Sequence, residues 1–170
     1  MSKPQSAEQK AATSFLAVGA VPCQTFAPHY PEYYPDKYGE TGKCLPDFYI
    51  CINGKHVFFE FKDAPLNHKQ SRKACRKSLQ GQYKWRFDRD PGNMSHDSLS
   101  TALWRAEWYI DCLNHAYNHS LVKHLIIQKL LGRESYILVF EEEPSSKDAK
   151  YYNSKGLFWI TLAQLPKFIH

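Results

Sequence analysis

The sequence lacks a long apolar run, a CxxC pair of cysteines and, in its first twenty residues, the apolar core of a secretory leader. A membrane-spanning helix needs roughly 18 apolar residues, and no stretch here approaches that length. The five cysteines are an odd set without zinc-type spacing, which favours reduced thiols over a disulfide framework. We therefore expect a cytoplasmic protein without membrane association.

The composition is typical of a folded protein. Apolar residues make up 43% of the chain and aromatic residues 15%, which excludes an intrinsically disordered chain. A chain of 170 residues can bury a substantial core, and the sequence contains no internal repeat. We therefore expect residues 1–170 to form a single domain.

Basic residues are concentrated in one segment. The net charge of the whole chain is +5, but ten lysines and arginines against three acidic residues lie between Lys55 and Arg89. The rest of the chain is therefore slightly acidic. A positive field of this density predicts a polyanionic partner such as a nucleic acid.

The stretch PDFYICINGKHVFFEFK, residues 46–62, predicts a β-hairpin. Asn53 and Gly54 suit the two positive-φ positions of a type I′ turn, the commonest two-residue hairpin connection. With that turn, Asp47 is directly opposite Glu60 on the same face of the sheet. Like charges in this arrangement are destabilising, so we expect a compensating ligand or function.

A divalent cation would compensate the facing carboxylates. Mg²⁺ binds through one or two carboxylates together with substrate phosphates, and Mn²⁺ is expected to substitute for it. The main-chain carbonyl of Phe61 could supply a further oxygen ligand. Lys62 shares the Glu60 face of the strand, where an ammonium could orient a water molecule or offset charge on a phosphate.

Hydrophobic periodicity predicts an α/β protein with a mixed sheet of four or five strands. Expected helices cover residues 6–18, 68–83, 97–118 and 121–131, with a short final helix after a capping box at Thr161 to Gln164. Expected strands are the hairpin, Tyr136 to Phe140, residues 157–160, and a further strand near Cys23 to Phe26. Residues 141–156 are expected to form a solvated loop.

The helix expected at residues 68–83 carries a basic stripe. Its lysines and arginines fall at helical spacing and therefore on one side: Lys69, Arg72, Lys73, Arg76 and Lys77. This stripe predicts contacts with nucleic-acid phosphates, although a solvated helix face would have a similar pattern.

The elements and the motif together resemble the PD-(D/E)XK nucleases, which share the restriction-endonuclease-like fold. Pro46-Asp47 followed by Glu60-Phe61-Lys62 matches the signature, and Glu8 matches the helix-borne glutamate of many members, with Glu40 as an alternative. Members also carry Lys, Arg or Gln on the helix after the motif, here the segment with Lys69, Gln70, Arg72 and Lys73. The resemblance covers roughly residues 5–90, so the helices at about 95–131 look like an elaboration.

The resemblance implies a Mg²⁺-dependent endonuclease in which Glu8, Asp47, Glu60 and Lys62 are catalytic. Asp47, Glu60 and Phe61 would hold the metal, and the basic stripe with Gln70 would contact nucleic acid. Phage Holliday-junction resolvases and transposon end-cleaving nucleases are the most similar subgroups, which implies DNA recombination, repair or mobile-element processing in a bacterial or phage-infected cell. RNA cleavage, a homodimer, and a nucleic-acid-binding or assembly subunit with little independent cleavage remain alternatives.

Two further patterns have competing interpretations. Cys112, His115 and His119, with His124 nearby, have spacings that could suit zinc, but a packed histidine face is the simpler interpretation because no second ligand pair appears. A second group consists of tyrosines in a proline-rich segment, which suit base stacking and loop packing equally well: Tyr30, Tyr33, Tyr34 and Tyr38.

Overall fold

The structure is a computed structural model that describes residues 6–29, 44–66, 98–116 and 121–170. The expected basic helix at 68–83 lies outside these residues, and so do all of its predicted phosphate contacts: Lys69, Gln70, Arg72, Lys73, Arg76 and Lys77. Glu40 and the four tyrosines between residues 30 and 38 also lie outside them. Within the described part of the chain, no helix is long and apolar enough to cross a bilayer.

The described residues form a mixed five-stranded sheet flanked by helices, which confirms the predicted α/β class. The helices are α1 (Ala7–Ala17), α2 (Leu99–Ala116), α3 (Leu121–Leu131), α4 (Ser146–Ser154) and α5 (Leu165–Ile169). The strands are β1 (Val21–Pro22), β2 (Phe48–Ile52), β3 (Lys55–Lys62), β4 (Tyr136–Phe140) and β5 (Trp159–Thr161). Short 3₁₀ helices cover Cys23–His29 and Leu162–Gln164.

The strands lie in sequence order, from β1 to β5. β1, β2 and β3 pair in antiparallel fashion, whereas β4 runs parallel to β3 and β5 parallel to β4. The hairpin has the predicted register, since Phe48 pairs with Phe59 and Ile52 with Lys55. The turn also has the expected geometry, with φ of 51° at Asn53 and 79° at Gly54.

One face of the sheet packs against α1. Ser6 caps this helix, and its hydroxyl accepts a hydrogen bond from the Gln9 amide at 3.1 Å. Phe15 is fully buried and stacks on Phe48 with ring centroids 3.9 Å apart. Leu16, which the sequence placed in the same apolar stripe, is instead 55% exposed because it lies beyond the edge of this contact.

The opposite face packs against α2 and α3. Its core includes Tyr49, Phe58 and Leu138 from the sheet together with Leu103 and Ile127 from the two helices. Every residue of β4 is buried, as its uninterrupted apolar sequence predicted. Glu60 and Lys62 point toward this side of the sheet, because they alternate with Phe59 and Phe61, which pack on the α1 side.

The strand predicted near Cys23 to Phe26 is wrong, since those residues belong to the 3₁₀ helix. β1 pairs Val21 with Tyr49 and Pro22 with Phe48, and in this register residue 24 would come opposite Pro46. The Cys23 amide still donates to the Asp47 carbonyl at 3.1 Å, and the pairing ends there as the chain enters the 3₁₀ helix.

The loop predicted over residues 141–156 is also wrong, because it contains α4. Ser145 caps this helix by accepting a hydrogen bond from the Asp148 amide at 3.1 Å. Tyr152 anchors it in the core, where its ring stacks on Phe140 at 5.6 Å and its hydroxyl accepts from the Leu66 amide at 2.9 Å. The polar composition of these residues gave no indication of a helix, and one buried aromatic residue, Tyr152, packs it against the core.

Candidate active site

Asp47 lies at the open end of the hairpin, where the regular β2–β3 ladder stops. Its amide donates to the Phe59 carbonyl at 3.1 Å, and its carboxylate oxygen Oδ2 accepts a hydrogen bond from the Phe61 amide at 2.8 Å. The residue opposite Phe61 in the register is Pro46. The Asp47 side chain therefore takes the acceptor role that the main chain fills elsewhere in the hairpin.

Glu60 faces Asp47 across the hairpin. Its carboxylate is enclosed by protein although the residue is partly exposed, and this desolvation is the main reason that its pKa is raised well above the ordinary value. The charge of Asp47 raises the pKa of Glu60 further, and Lys62 on the same face opposes the shift.

The Phe61 carbonyl lies at the same edge of β3 as the Phe61 amide, since both main-chain groups of a strand residue point to the same neighbouring strand. The main-chain groups of the next residue, Lys62, point toward β4. The Lys62 carbonyl accepts a hydrogen bond from the Glu141 amide at 2.9 Å. Pro46 cannot donate to the Phe61 carbonyl, because it lacks an amide hydrogen. The Phe61 carbonyl is therefore on the β2 side of β3, as is the Phe61 amide that donates to Asp47.

Glu8 lies in the first turn of α1 and is exposed. It shares an open groove of about 580 Å³ with Asp47, which is lined also by Pro22, Gln24 and Leu45. The charge of Asp47 is the main reason that the pKa of Glu8 is raised. The structure therefore brings Glu8 within electrostatic range of the carboxylate pair, at the rim of the groove rather than beneath it.

Two residues that the sequence analysis missed also reach Glu60. Tyr136 on β4 is buried, and its pKa is raised by burial and by the charge of Glu60. Lys123 on α3 is 5% exposed, and its pKa is lowered by burial and by Lys62 and raised by Glu60. The only signal for Lys123 was its position one helical turn before Ile127, on a face that proves to be buried.

The donor set fits Mg²⁺ better than a metal that needs an all-protein cage. Among the described residues, no group of three or more His, Cys, Asp or Glu side chains is arranged to hold a metal ion. Mg²⁺ binds through one or two carboxylates with water and phosphate as the remaining ligands, and Asp47 and Glu60 could supply such a partial set.

The alternative zinc pattern is not assembled in the described residues. Cys112 is buried beside Trp108 and Tyr109, and His124 is buried with Nδ1 3.1 Å from the Tyr136 hydroxyl. The side chain of His115 and the whole of His119 lie outside the part that the structure describes. The packed-histidine interpretation holds for His124.

No family model, curated protein or solved structure matches this chain. The fold is a mixed five-stranded α/β sheet, with α1 and α5 packed on one face and α2, α3 and α4 on the other. The site at its edge is an acidic pair with lysines close by.

Proposed function

We propose that this protein is a Mg²⁺-dependent nuclease of the restriction-endonuclease-like class that hydrolyses phosphodiester bonds in DNA. The observation that carries the proposal is the acidic pair of Asp47 and Glu60: burial, and then the charge of Asp47, raise the pKa of Glu60 at a site that also holds Lys62. Carboxyl groups perturbed in this way are common at functional sites, and a bound cation would relieve the repulsion.

The order of elements supports the same proposal. A helix precedes an antiparallel β1–β2–β3 unit, and β4 then adds in parallel to β3. The motif residues lie at the end of this unit, and Glu8 reaches them from the preceding helix. This arrangement agrees with the resemblance of Pro46-Asp47 and Glu60-Phe61-Lys62 to the nuclease signature.

Each residue then has a separate task. Asp47, Glu60 and the Phe61 carbonyl would hold the cation, which when bound polarises the phosphate and activates water. Lys62 holds a positive charge beside them, where it orients the attacking water by hydrogen bonding and offsets negative charge on the phosphate oxygens. Glu8 stands at the rim of the groove, where it can bind a second ion or a water of the first.

The basic segment supplies the rest of the proposed substrate site. Neutralising Arg72, Lys73 and Arg76 together should weaken binding to all duplex sequences, because phosphate contacts are not sequence-specific. Each lost contact should reduce the slope of log affinity against log salt by about 0.9. An unchanged slope would show that these three residues face solvent.

Incubation with plasmid, branched DNA and RNA, each with Mg²⁺ and with EDTA, tests the activity. We expect metal-dependent cleavage of DNA by the wild type and a loss of about two orders of magnitude or more in Glu60→Gln. Glu134→Gln is the matched control, because it makes the same chemical change at an exposed residue at the other end of β3.

Three other outcomes would change the proposal. Cleavage of RNA alone would change the substrate, and DNA binding without cleavage would favour the binding-subunit alternative. Wild-type rates in Glu60→Gln would remove the carboxylate pair from the mechanism.

A further inference from the structure

A cavity of about 210 Å³ lies at the turn end of the hairpin, on the face of the sheet that packs against α2 and α3. A single water molecule needs only about 10–15 Å³, so the cavity can hold a much larger group. Phe58 and Ala102 form a buried apolar wall. Gly54 and Lys55 at the edge are exposed, which leaves the cavity open to solvent.

The polar side chains that line this cavity are cationic or can donate hydrogen bonds: Lys55, His56, Arg105 and Ser135. No acidic residue of the described part of the chain lines it. The four side chains come from three places in the fold, since two lie on β3, one on α2 and one directly before β4. Donors from several elements suit a tetrahedral phosphate, whereas a single guanidinium fork already satisfies a planar carboxylate.

Arg105 is a cation without a counterion among the described residues. Its Nη2 donates to the Leu130 carbonyl at 2.8 Å, and its guanidinium carbon lies 5.3 Å from the centroid of the Tyr109 ring. Its Nε is buried and has no hydrogen-bond partner in the described part of the chain, where no carboxylate forms an ion pair with it either. A guanidinium has five N–H donors, and burying a charged donor without acceptors is costly. An anion in the cavity would therefore stabilise Arg105.

The two lining residues from β3 already have partners. The Lys55 ammonium lies 3.1 Å from the Glu134 carboxylate, so its charge is compensated. His56 Nδ1 lies 2.6 Å from the Tyr49 hydroxyl, which positions the imidazole at the cavity. Arg105 is therefore the lining residue whose charge a ligand would compensate.

We propose that this cavity binds the phosphate group of an organic phosphate, with Arg105 as the counter-charge and Ser135 and His56 as further donors. The apolar wall contacts the organic part of the ligand, as in most pockets for small molecules. A free nucleotide and a nucleic-acid backbone both present such a phosphate. The cavity lies at the opposite end of β3 from Glu60, so this proposal does not depend on the nuclease function.

Titrations of the ¹⁵N-labelled protein in EDTA, followed by NMR, test the site. Amide signals of Gly54, His56 and Ser135 report binding at the cavity separately from phosphate contacts elsewhere on this basic chain. The probes are thymidine 5′-monophosphate, thymidine, which has the same organic part without the phosphate, and a short DNA duplex.

Arg105→Met removes the charge at similar length, and Ser135→Ala removes only a hydroxyl from the cavity. Arg133→Met is the matched control, because Arg133 is exposed and does not line the cavity. Arg133 also lies over an aromatic ring, with its guanidinium carbon 5.0 Å from the Phe158 centroid, so both arginine variants lose a similar contact. Melting temperatures identify any variant that fails to fold, and Ser135→Ala keeps the test decisive if Arg105→Met is unstable.

We expect thymidine 5′-monophosphate, but not thymidine, to shift the reporter amides saturably. Its affinity should fall about tenfold or more in Arg105→Met and about threefold or more in Ser135→Ala, the usual losses for hydrogen bonds to a charged group, while Arg133→Met stays within about twofold. Reporter shifts with the duplex as well support recognition of the nucleic-acid backbone, and shifts with the monophosphate alone support a site for small phosphates.

Three results would overturn the proposal: reporter shifts with thymidine equal to those with its monophosphate, no reporter shifts with either phosphate probe, or one common affinity for all three variants. Failure of the nuclease proposal is a separate result. If no condition yields cleavage but Arg105→Met and Ser135→Ala lose binding, the phosphate site stands without the nuclease. If the wild type cuts DNA and the reporter amides do not respond, the nuclease proposal stands without this site.

Discussion

The two ends of the β2–β3 hairpin carry charge in opposite ways. At the turn, the Lys55 ammonium lies 3.1 Å from the Glu134 carboxylate, and both side chains are exposed, by 52% and 73%. At the open end, Asp47 and Glu60 are both acidic, and desolvation together with the charge of Asp47 raises the pKa of Glu60. The opposite charges at the turn are compatible with a stable protein surface, whereas the like charges at the open end lower the stability of the folded protein.

The difference shows where a ligand is expected. Opposite charges at the turn compensate each other in water and require nothing more. At the open end the charge of Asp47 opposes ionisation of Glu60 and Lys62 offsets this only in part, so a bound cation would stabilise the folded protein there. The turn end of the hairpin therefore favours stability, and the open end carries the proposed function.

We expect the largest effect on cleavage from Lys62→Met at the open end. Because an ammonium cannot bind a metal, this variant should retain Mn²⁺ affinity in a calorimetric titration and yet lose roughly two orders of magnitude in single-turnover cleavage. Added metal should restore little activity to Lys62→Met but part of the activity to Glu60→Gln. Lys55→Met on the same strand is the control, and equal cleavage by Lys62→Met and Lys55→Met would contradict the assignment of Lys62.

Asp47 substitutions test the unusual hydrogen bond at the open end. Asp47→Asn keeps an oxygen that can accept from the Phe61 amide, whereas Asp47→Ala leaves that amide without its 2.8 Å acceptor. We expect Asp47→Ala to be less stable than Asp47→Asn by about 1–3 kcal/mol, the cost of an unsatisfied buried donor. Both should lose cleavage, so urea unfolding of the metal-free variants separates the structural role from the catalytic one. Equal unfolding free energies would show that water replaces the carboxylate.

The hairpin was predictable from sequence because local chemistry determines it. Asn53 and Gly54 fix the turn, and the turn fixes the register from Ile52–Lys55 to Phe48–Phe59, which brings Asp47 and Glu60 to the same open end of the hairpin. Long periodic elements were equally clear: α3 has its predicted bounds, and so does the wholly apolar β4.

The features missed by sequence analysis depend on distant contacts. Lys123 lies near the site only because α3 packs over β3 and β4. No local sequence pattern predicts which face of that helix is buried against the sheet. Helix α4 depends on Tyr152 reaching Phe140 and Leu66, neither of which is near it in sequence. β1 is only two residues long and is defined by its pairing with Tyr49 and Phe48, which are far away in the sequence.

The pH dependence of stability should distinguish the two ends. The raised pKa of Glu60 means that the folded state binds more protons than the unfolded state between the ordinary carboxyl range and that raised pKa, so Glu60 lowers stability as pH rises through this window. Glu60→Gln removes this titration, and its melting temperature in EDTA should rise relative to the wild type as the pH is raised. Glu134→Gln should show no such trend, and a parallel trend in both variants would contradict the role of the acidic pair.

The smallest effect is expected at the turn. The Lys55–Glu134 pair is exposed at both partners, so solvent screening and the entropy of two long side chains offset most of its attraction. A double-mutant cycle of Lys55→Ala and Glu134→Ala, measured by urea unfolding, should give a coupling free energy of about 0.2–1 kcal/mol. That coupling should shrink further at 1 M salt, where the Debye length is only about 3 Å. A coupling free energy well above this range, or one that salt leaves unchanged, would contradict this prediction. The Lys55–Glu134 pair would then contribute to stability, and the turn could not serve as the neutral comparison for Asp47 and Glu60.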